Sequence, residues 1–414
     1  MTPRRVAVTG LGVVAPLGHS AEQLSANLEA GRSGVHRLSA PWAEQLQAPI
    51  GASANFDGNA HFAAPRLRML DRVSQLASVA ASQAMADARI DLSAENRDRC
   101  GVFVGTGMGG AQTTDNSYNT LYALRSDRIE PYTVLGAMTN AAAAWIAIDH
   151  QVSGPVLTYS TACSSSAVAL GEGARRIQSG ELDVVIAGGA EAPLAHGVLR
   201  AWQAMRTLAS QDPIDPSASC RPFSRTRTGL VLGEGAAFAV LEDWDHACKR
   251  GVKIYARLSG YGLMSDVAHI TRPTVEGQMK AMKAALASAR LEAVDIDYIN
   301  AHGTATLQND VVETAAIKAV FGEGARAIPV SSTKSMHGHL LGAAGALEFV
   351  IAVMCVQRKI LPPTMHLDVP DPDCDLDYVA GKARGNVQVN RVMSNSFAFG
   401  GTNAVLIVEA VVPS

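Results

Sequence analysis

The chain has 414 residues, 48% hydrophobic and only 18% charged, a composition that excludes a disordered or fibrous protein and calls for a large buried core. Its 35 basic and 38 acidic residues leave a formal charge of −3, so there is no global electrostatic drive toward nucleic acid or an anionic membrane. At about 100 to 200 residues per domain, this length suggests two or three domains.

Apolar, β-branched runs alternate with helix-like stretches. Strands are predicted at RRVAVTGLGVV (4–14), CGVFVGTG (100–107), VLTYSTA (156–162), LDVVIAGGAEA (182–192) and GAAFAVLED (235–243). Helices are predicted over SQLASVAASQAMADA (74–88), near Ala141 and from Ser164. From about Lys253 the order begins again: IYARLSGYG, the helix VEGQMKAMKAALASAR, DIDYINAHGTA, a helix around Thr314, AIPVSSTKS, the helix GALEFVIAVMCVQ, and the closing pair of strands RVMSNSFAFGGTNAVLIVEA. Such alternation specifies an α/β protein. The repeated order predicts two similar α/β halves, 1–250 and 251–414. Late in the first half, ASQDPIDPSASCRPFSRTRTG (209–229) reads as a long surface loop packed near a site.

The opening MTPRRVAVTGLGVV lacks the order of a signal peptide, and no run reaches about 18 uninterrupted apolar residues, so neither secretion nor a membrane span is expected. The six cysteines show no CxxC pairing and no metal-ligand spacing; they read as reduced thiols of a cytoplasmic protein. GTGMGG (105–110) formally satisfies the GxGxxG dinucleotide fingerprint, but no convincing second strand follows before Asp127. A tight strand-to-helix turn that admits a chain or ligand close to the backbone is the preferred reading.

Cys163 follows a predicted strand and opens a helix whose apolar positions Ala167, Val168, Leu170, Ala174 and Ile177 recur at helical spacing. Helix-terminal N–H groups favour thiolate there and would activate a nucleophile, whereas the plainer reading is a small buried residue. INAHGTATLQND sets His302 in a glycine- and threonine-rich turn after a strand. SSTKSMHGHLLGAAGALE places Lys334, His337, His339 and Glu348 at and beyond another strand end. All three segments fall at carboxyl ends of strands, where open α/β folds gather their sites.

TACSSS, AHGTAT with Asp310, STKSMHGHLLGAAG and NSFAFGGTN, in this order over nearly the whole chain, resemble the β-ketoacyl-acyl-carrier-protein synthases, nearest to the type II elongating enzymes. The resemblance implies a thiolase-like fold of two related α/β halves in a layered αβαβα architecture, a homodimer, and acyl carrier protein as partner. It implies that Cys163 accepts an acyl chain as a thioester. Malonyl carrier protein then loses carbon dioxide, and the resulting carbanion attacks that thioester. His302 and His339 would stabilise the charge on the malonyl thioester oxygen. The backbone N–H groups of Cys163 and Phe399 would receive the acyl-thioester oxygen, while Lys334 and Glu348 would hold His339 and tune its protonation.

By the same resemblance, Thr304 and Thr306 bind the phosphopantetheine arm, though threonines in a turn also cap backbone. Met108, Trp202, Phe399 and, from a partner subunit, Thr133 would line the acyl tunnel. Arg66, Arg68, Arg125, Arg128 and above all Arg206 would dock the acidic carrier. Asn300, Ala301, Glu348, Ser394 and Asn395 match a structural monovalent cation site, an Na or K ion; a hydrogen-bond network is the other reading. No other cofactor is expected, because phosphopantetheine arrives on the carrier.

The chain departs from the family pattern at Ala398 beside the gating Phe399, at His337 where threonine is usual, and at Thr228 and Leu230 in place of an acidic and an aromatic residue. A thiolase would need a second cysteine in NSFAFGGTN, and an initiating synthase would pair its cysteine with histidine and asparagine. A noncatalytic chain-length subunit would lack the nucleophile. Housekeeping fatty acid elongation and a specialised polyketide or polyene type pathway, with a homologous subunit as partner, both stay open.

Overall fold

The β-branched runs form one mixed sheet in the computed structural model, which describes residues 3–93 and 95–411. In the first half, β1 (Val6–Val14), β2 (Cys100–Gly105), β3 (Val156–Tyr159), β4 (Val184–Glu191) and β5 (Gly235–Asp243) stand in the order β3-β2-β4-β5-β1. In the second, β6 (Ala256–Ser265), β7 (Tyr298–Asn300), β8 (Val330–Ser331), β9 (Arg391–Phe397) and β10 (Thr402–Ala410) stand in the order β8-β7-β9-β10-β6. Each strand therefore has its counterpart five places on. Directions repeat as well: β2 is parallel to β3 and β4, as β7 is to β8 and β9, and the remaining pairs within each half are antiparallel. The two sets of five join along β1 and β6, where Ala7 faces Arg257 and Val8 faces Ala256.

Helices fill three layers around these strands. The outer helices α1 (Arg72–Ala88) and α2 (Ala141–His150) cover one half. Between the halves lie α3 (Ser165–Gln178) and α6 (Ala344–Arg358), while α4 (Val275–Ala289) and α5 (Asn309–Phe321) cover the other face. This is the αβαβα order of a thiolase-like fold. A helix between two sheets must be apolar all round, and the first thirteen residues of α6, from Ala344 to Val356, are buried. The 18-residue stretch Leu341–Arg358 is long and apolar enough to cross a membrane, but 89% of it is buried in the protein. Glu348, Gln357 and Arg358 interrupt it, so it is not an uninterrupted apolar run; its composition comes near that of a span because burial between sheets asks for much the same as lipid.

Small residues set the spacing of α1 on β1. A Cβ added to Gly12 would lie 1.9 Å from the carbonyl oxygen of Ala80, so only glycine lets strand and helix approach this closely. The loop 209–229 is less of a surface loop than its composition suggests. Phe223 and Arg227 within it are buried, Phe223 N–H donates to Asp310 Oδ2 at 2.8 Å, and the Arg227 guanidinium meets Asp371 at 2.5 Å.

Gly12→Ala is expected to lower stability by about 1–3 kcal/mol through overpacking, read as an earlier urea midpoint with unchanged slope. An unchanged midpoint would mean that α1 moves off β1 freely.

Candidate active site

Equivalent positions of the two halves supply the reacting groups. β3 leads through the tight turn Ala162–Ser164 into α3, and β8 leads through Lys334–His337 and His339 into α6. Ala162 sits at φ 50, a strained left-handed conformation that turns the chain sharply and presents the next residue, Cys163. The heads of α3 and α6 touch: Ala346 N–H donates to Ser166 Oγ at 2.8 Å, and a Cβ on Gly345 would lie 2.8 Å from that of Ala167. Cys163 Sγ thereby comes within 3.1 Å of His339 Nε2. His302, just past β7, meets His339 edge to face, with ring centroids 5.4 Å apart and an angle of 84°. Ligand atoms of the three side chains lie within 4.8 Å of one another.

Backbone contacts set the protonation of this trio. Leu341 N–H donates to His339 Nδ1 at 3.2 Å, which assigns the ring proton to Nε2, facing Cys163. Burial first, and the Lys334 charge second, hold both His302 and His339 well below the usual histidine range, so both imidazoles are neutral N–H donors near pH 7.

Lys334 does not hold the His339 ring as expected. With Nδ1 taken by Leu341, the fully buried ammonium donates to the His302 carbonyl at 2.7 Å and pairs with Glu348, reaching His339 through its charge alone. Burial raises Glu348 to about 7 against that attraction.

The thiol is also corrected. Burial pushes Cys163 up to about 11, outweighing Lys334 and the backbone N–H groups of Phe399 and Cys163, so the helix start alone does not make a resting thiolate. Those same two N–H groups are the pair assigned to the acyl-thioester oxygen. His337, though next to the site, turns away: it bonds Thr333 Oγ1 at 2.9 Å and the Gly338 carbonyl at 2.8 Å.

Two carboxylates escaped the sequence reading. Glu313 accepts the N–H groups of His302 and Gly303, both at 2.8 Å, and so fixes the histidine turn. Glu191 accepts Gly107 N–H at 2.6 Å and Met108 N–H at 3.0 Å. The backbone nest of GTGMGG, which in a nucleotide site would cradle phosphate, is thus filled by the protein's own carboxylate. For Glu313 the signal was an acid three residues after Asp310 on a buried helix face; for Glu191 it was an acid ending an otherwise apolar strand.

A cleft of about 370 Å³ runs from Cys163, His302 and His339 past Thr304, Thr306, Trp202 and Phe399. Phe399 stacks on Trp202 with centroids 6.1 Å apart, and the two threonine hydroxyls bond each other at 2.9 Å. Gly400 and Gly401, at φ 84 and 80, follow Phe399 and supply left-handed turns that Ala398 does not need. Met108 does not line this cleft; Thr133, expected in the tunnel of a partner subunit, does not line the chain's own. Met108 N–H donates to Glu191, and Thr133 Oγ1 donates to the Glu130 carbonyl at 2.8 Å in the short helix Thr133–Ala137.

Of the docking arginines, Arg206 lines the cleft, together with Arg272, which the sequence reading missed. Arg66 is not free: Asp149 holds it at 2.5 Å between the rings of Phe62 and Trp145. Arg68, Arg125 and Arg128 are exposed but stand outside the cleft. Asn300, Ala301, Glu348, Ser394 and Asn395 are all buried, and Asn300 Oδ1, Glu348 Oε2 and Asn395 Oδ1 have no hydrogen-bond partner among the described residues.

A family model described as beta-ketoacyl synthase, N-terminal domain, matches residues 3–247, and its C-terminal counterpart matches residues 255–368. The chain belongs to the β-ketoacyl synthase family. This ketosynthase is 43% identical over 408 residues to nodulation protein E of Rhizobium meliloti (strain 1021), covering 99% of this chain and 100% of that protein. It is 38% identical over 409 residues to 3-oxoacyl-acyl-carrier-protein synthase 2 of Staphylococcus aureus (strain COL), covering 98% of each. Among solved structures, the ishigamide ketosynthase/chain length factor superposes with a TM-score of 0.93 at 32% identity, covering 99% of this chain and 100% of that one. As a ketosynthase the protein is a condensing acyltransferase.

The buried histidines carry a pH signature. His302, His337 and His339 have folded pKa values below the unfolded value of 6.5, His337 near 3. Their contribution to stability is complete above pH 6.5 and is lost below it, as the unfolded chain takes up protons first. Buried Glu191, Glu348 and Asp310, raised by burial, act in the other sense as pH climbs toward 6 to 7. His337→Thr is therefore expected to flatten the loss of stability between pH 6 and 4 by up to about 1.4 kcal/mol per pH unit in urea melts. Parallel profiles would show that His337 is already charged in the folded protein.

Proposed function

We propose that this ketosynthase joins a malonyl unit to an acyl chain held on Cys163, by decarboxylative Claisen condensation between carrier-bound thioesters, giving 3-oxoacyl carrier protein and carbon dioxide. The observation that carries this reading is the Cys163, His339 and His302 cluster at the base of the cleft, with the His339 proton on Nε2.

Cys163 sulfur attacks the incoming acyl thioester, and the carrier thiol leaves with the proton. The developing oxyanion lies at the N–H groups of Cys163 and Phe399, which already face the sulfur. Malonyl thioester then enters past Thr304 and Thr306, its carbonyl oxygen between two neutral imidazole N–H donors. Loss of carbon dioxide leaves the electron pair as an enolate on that oxygen. Attack of its carbon on the Cys163 thioester forms the new carbon–carbon bond, and collapse of the adduct breaks the C–S bond and releases the cysteine as a thiolate, which takes up one proton to restore the resting thiol. Water is excluded because all three side chains are buried.

The orphaned oxygens of Asn300, Glu348 and Asn395, with Ala301 and Ser394 beside them, suit an Na or K ion. Bound there, it would neutralise Glu348 and stiffen the ends of β7 and β9 behind His302. A cytoplasmic setting suits a chain whose six cysteines are all free. Acyl carrier protein would present its thioester at the Arg206 side of the cleft.

For the pathway, fatty acid elongation and a specialised chain assembly share this geometry. The higher identity to a nodulation protein and the likeness to a ketosynthase with a chain length factor favour the specialised reading. β3 is one of the two edge strands of the sheet, with Val156 and Leu157 each 37% exposed, and Ile148, Tyr122, Val134 and Leu135 are also exposed. An apolar edge of this kind calls for a partner strand, and we assign it to a second copy of this chain. A homologous chain-length subunit is the alternative.

Incubation with acyl carrier proteins of graded chain length should leave the acyl group on Cys163, located by peptide mass spectrometry, and none on Cys163→Ala. Acylation at another residue removes the assignment, while the preferred chain separates the two pathways. His302→Ala and His339→Ala should each slow malonyl decarboxylation on the order of 10²-fold, with acyl loading less affected. Native mass spectrometry should give twice 43.3 kDa; a monomer that dimerises only with a homologous chain would establish the heterodimer.

A further inference from the structure

Glu191 ends β4 and is fully buried. Its carboxylate accepts Thr106 Oγ1 at 3.1 Å, Gly107 N–H at 2.6 Å, Met108 N–H at 3.0 Å and Gly342 N–H at 2.8 Å. The first three donors belong to the first half of the chain and the fourth to the second. One side chain thus ties the GTGMGG turn to the turn that follows His339.

Leu341, between them, sits at φ 45, a left-handed conformation that strains a residue bearing a bulky side chain. Strain of this kind persists only where the surroundings over-determine it. Here two successive N–H groups are held: that of Leu341 by His339 Nδ1 at 3.2 Å, and that of Gly342 by Glu191 Oε2. The Leu341 bond is the one that places the His339 proton on Nε2. Without the Glu191 acceptor, Gly342 N–H is buried and unpaired, and the strained peptide has no reason to keep Leu341 N–H on Nδ1.

We propose that Glu191 is a positioning residue for the condensation: by holding Gly342 it keeps Leu341 left-handed and so fixes His339 as the Nε2–H donor. Glu191 touches no reacting atom. A ring freed from Leu341 N–H takes its proton on Nδ1 part of the time, and Nε2 then offers a lone pair where the malonyl oxygen needs a donor. The inference rests on the reading of His339 as donor to that oxygen, and measuring the tautomer itself keeps the two separable.

The test uses the full chain with 15N-labelled histidine, His339 being assigned by its loss in His339→Gln. Long-range 1H–15N spectra should show Nε2–H in the parent protein and an Nδ1–H population in Glu191→Gln, where an amide replaces a four-fold acceptor. Gly342→Ala parts the same contact without changing charge, since its Cβ would lie 2.6 Å from Glu191 Oε2 and 2.3 Å from Gly107 N. Either variant serves if the other does not fold. Malonyl decarboxylation should fall about 10- to 100-fold in kcat with KM little changed, and acyl loading of Cys163 should fall less. Leu341→Gly in the Glu191→Gln background should recover Nε2–H, because glycine holds φ 45 without strain. Retention of Nε2–H in the variants, or equal loss of loading and decarboxylation, would overturn the role of Glu191. An Nδ1–H ring in the parent protein would instead overturn the donor reading of His339.

Discussion

The contact between the heads of α3 and α6 is the constraint on which the site depends. Both helices lie between sheets, so neither can move without opening the largest apolar core, and their first turns meet through Ser166, Ala167, Gly345 and Ala346. Cys163 stands just before one head and His339 just before the other. A nucleophile from one half and a donor from the other are therefore held at hydrogen-bond distance by helix packing, with no flexible segment between the contact and the chemistry. The repeated topology makes this meeting inevitable: β3 with α3 and β8 with α6 are the same unit, used twice.

Buried charge then tunes what packing has assembled. Lys334 is wholly enclosed and paired with Glu348, and its field opposes protonation of His302, His337 and His339 together. Neutral imidazoles result, which suits donors to a developing oxyanion better than strong bases. The same burial that keeps the imidazoles neutral also keeps Cys163 a thiol, with Lys334 and two backbone N–H groups limiting the rise. Three further carboxylates, Glu191, Asp310 and Glu313, spend their oxygens on backbone N–H groups of the surrounding turns. In each case an anion buried beside the site organises loop backbone that no regular ladder could pair.

The cleft carries the individuality of this ketosynthase. Trp202 stacked on Phe399 narrows the approach to Cys163, and Arg272 joins Arg206 on its lining. His337 offers no free ring nitrogen to the cleft, because both are engaged with Thr333 and Gly338.

The sequence by itself determined the α/β class and the doubled order of elements, because periodicity and glycine turns are local signals; it also set Cys163, His302 and His339 at strand ends, while their joint role came from the resemblance to the synthase family. It could not determine which atom of Lys334 meets which partner, that Arg66 is consumed by Asp149, or that Glu191 and Glu313 brace the turns. Nor could it show that a thiol at a helix start stays protonated, since burial comes from elements distant in the chain. Those outcomes depend on distances across the interface between halves. Only the tertiary structure sets them, because side-chain hydrogen bonds and desolvation are decided by which remote residues arrive at the same few ångströms.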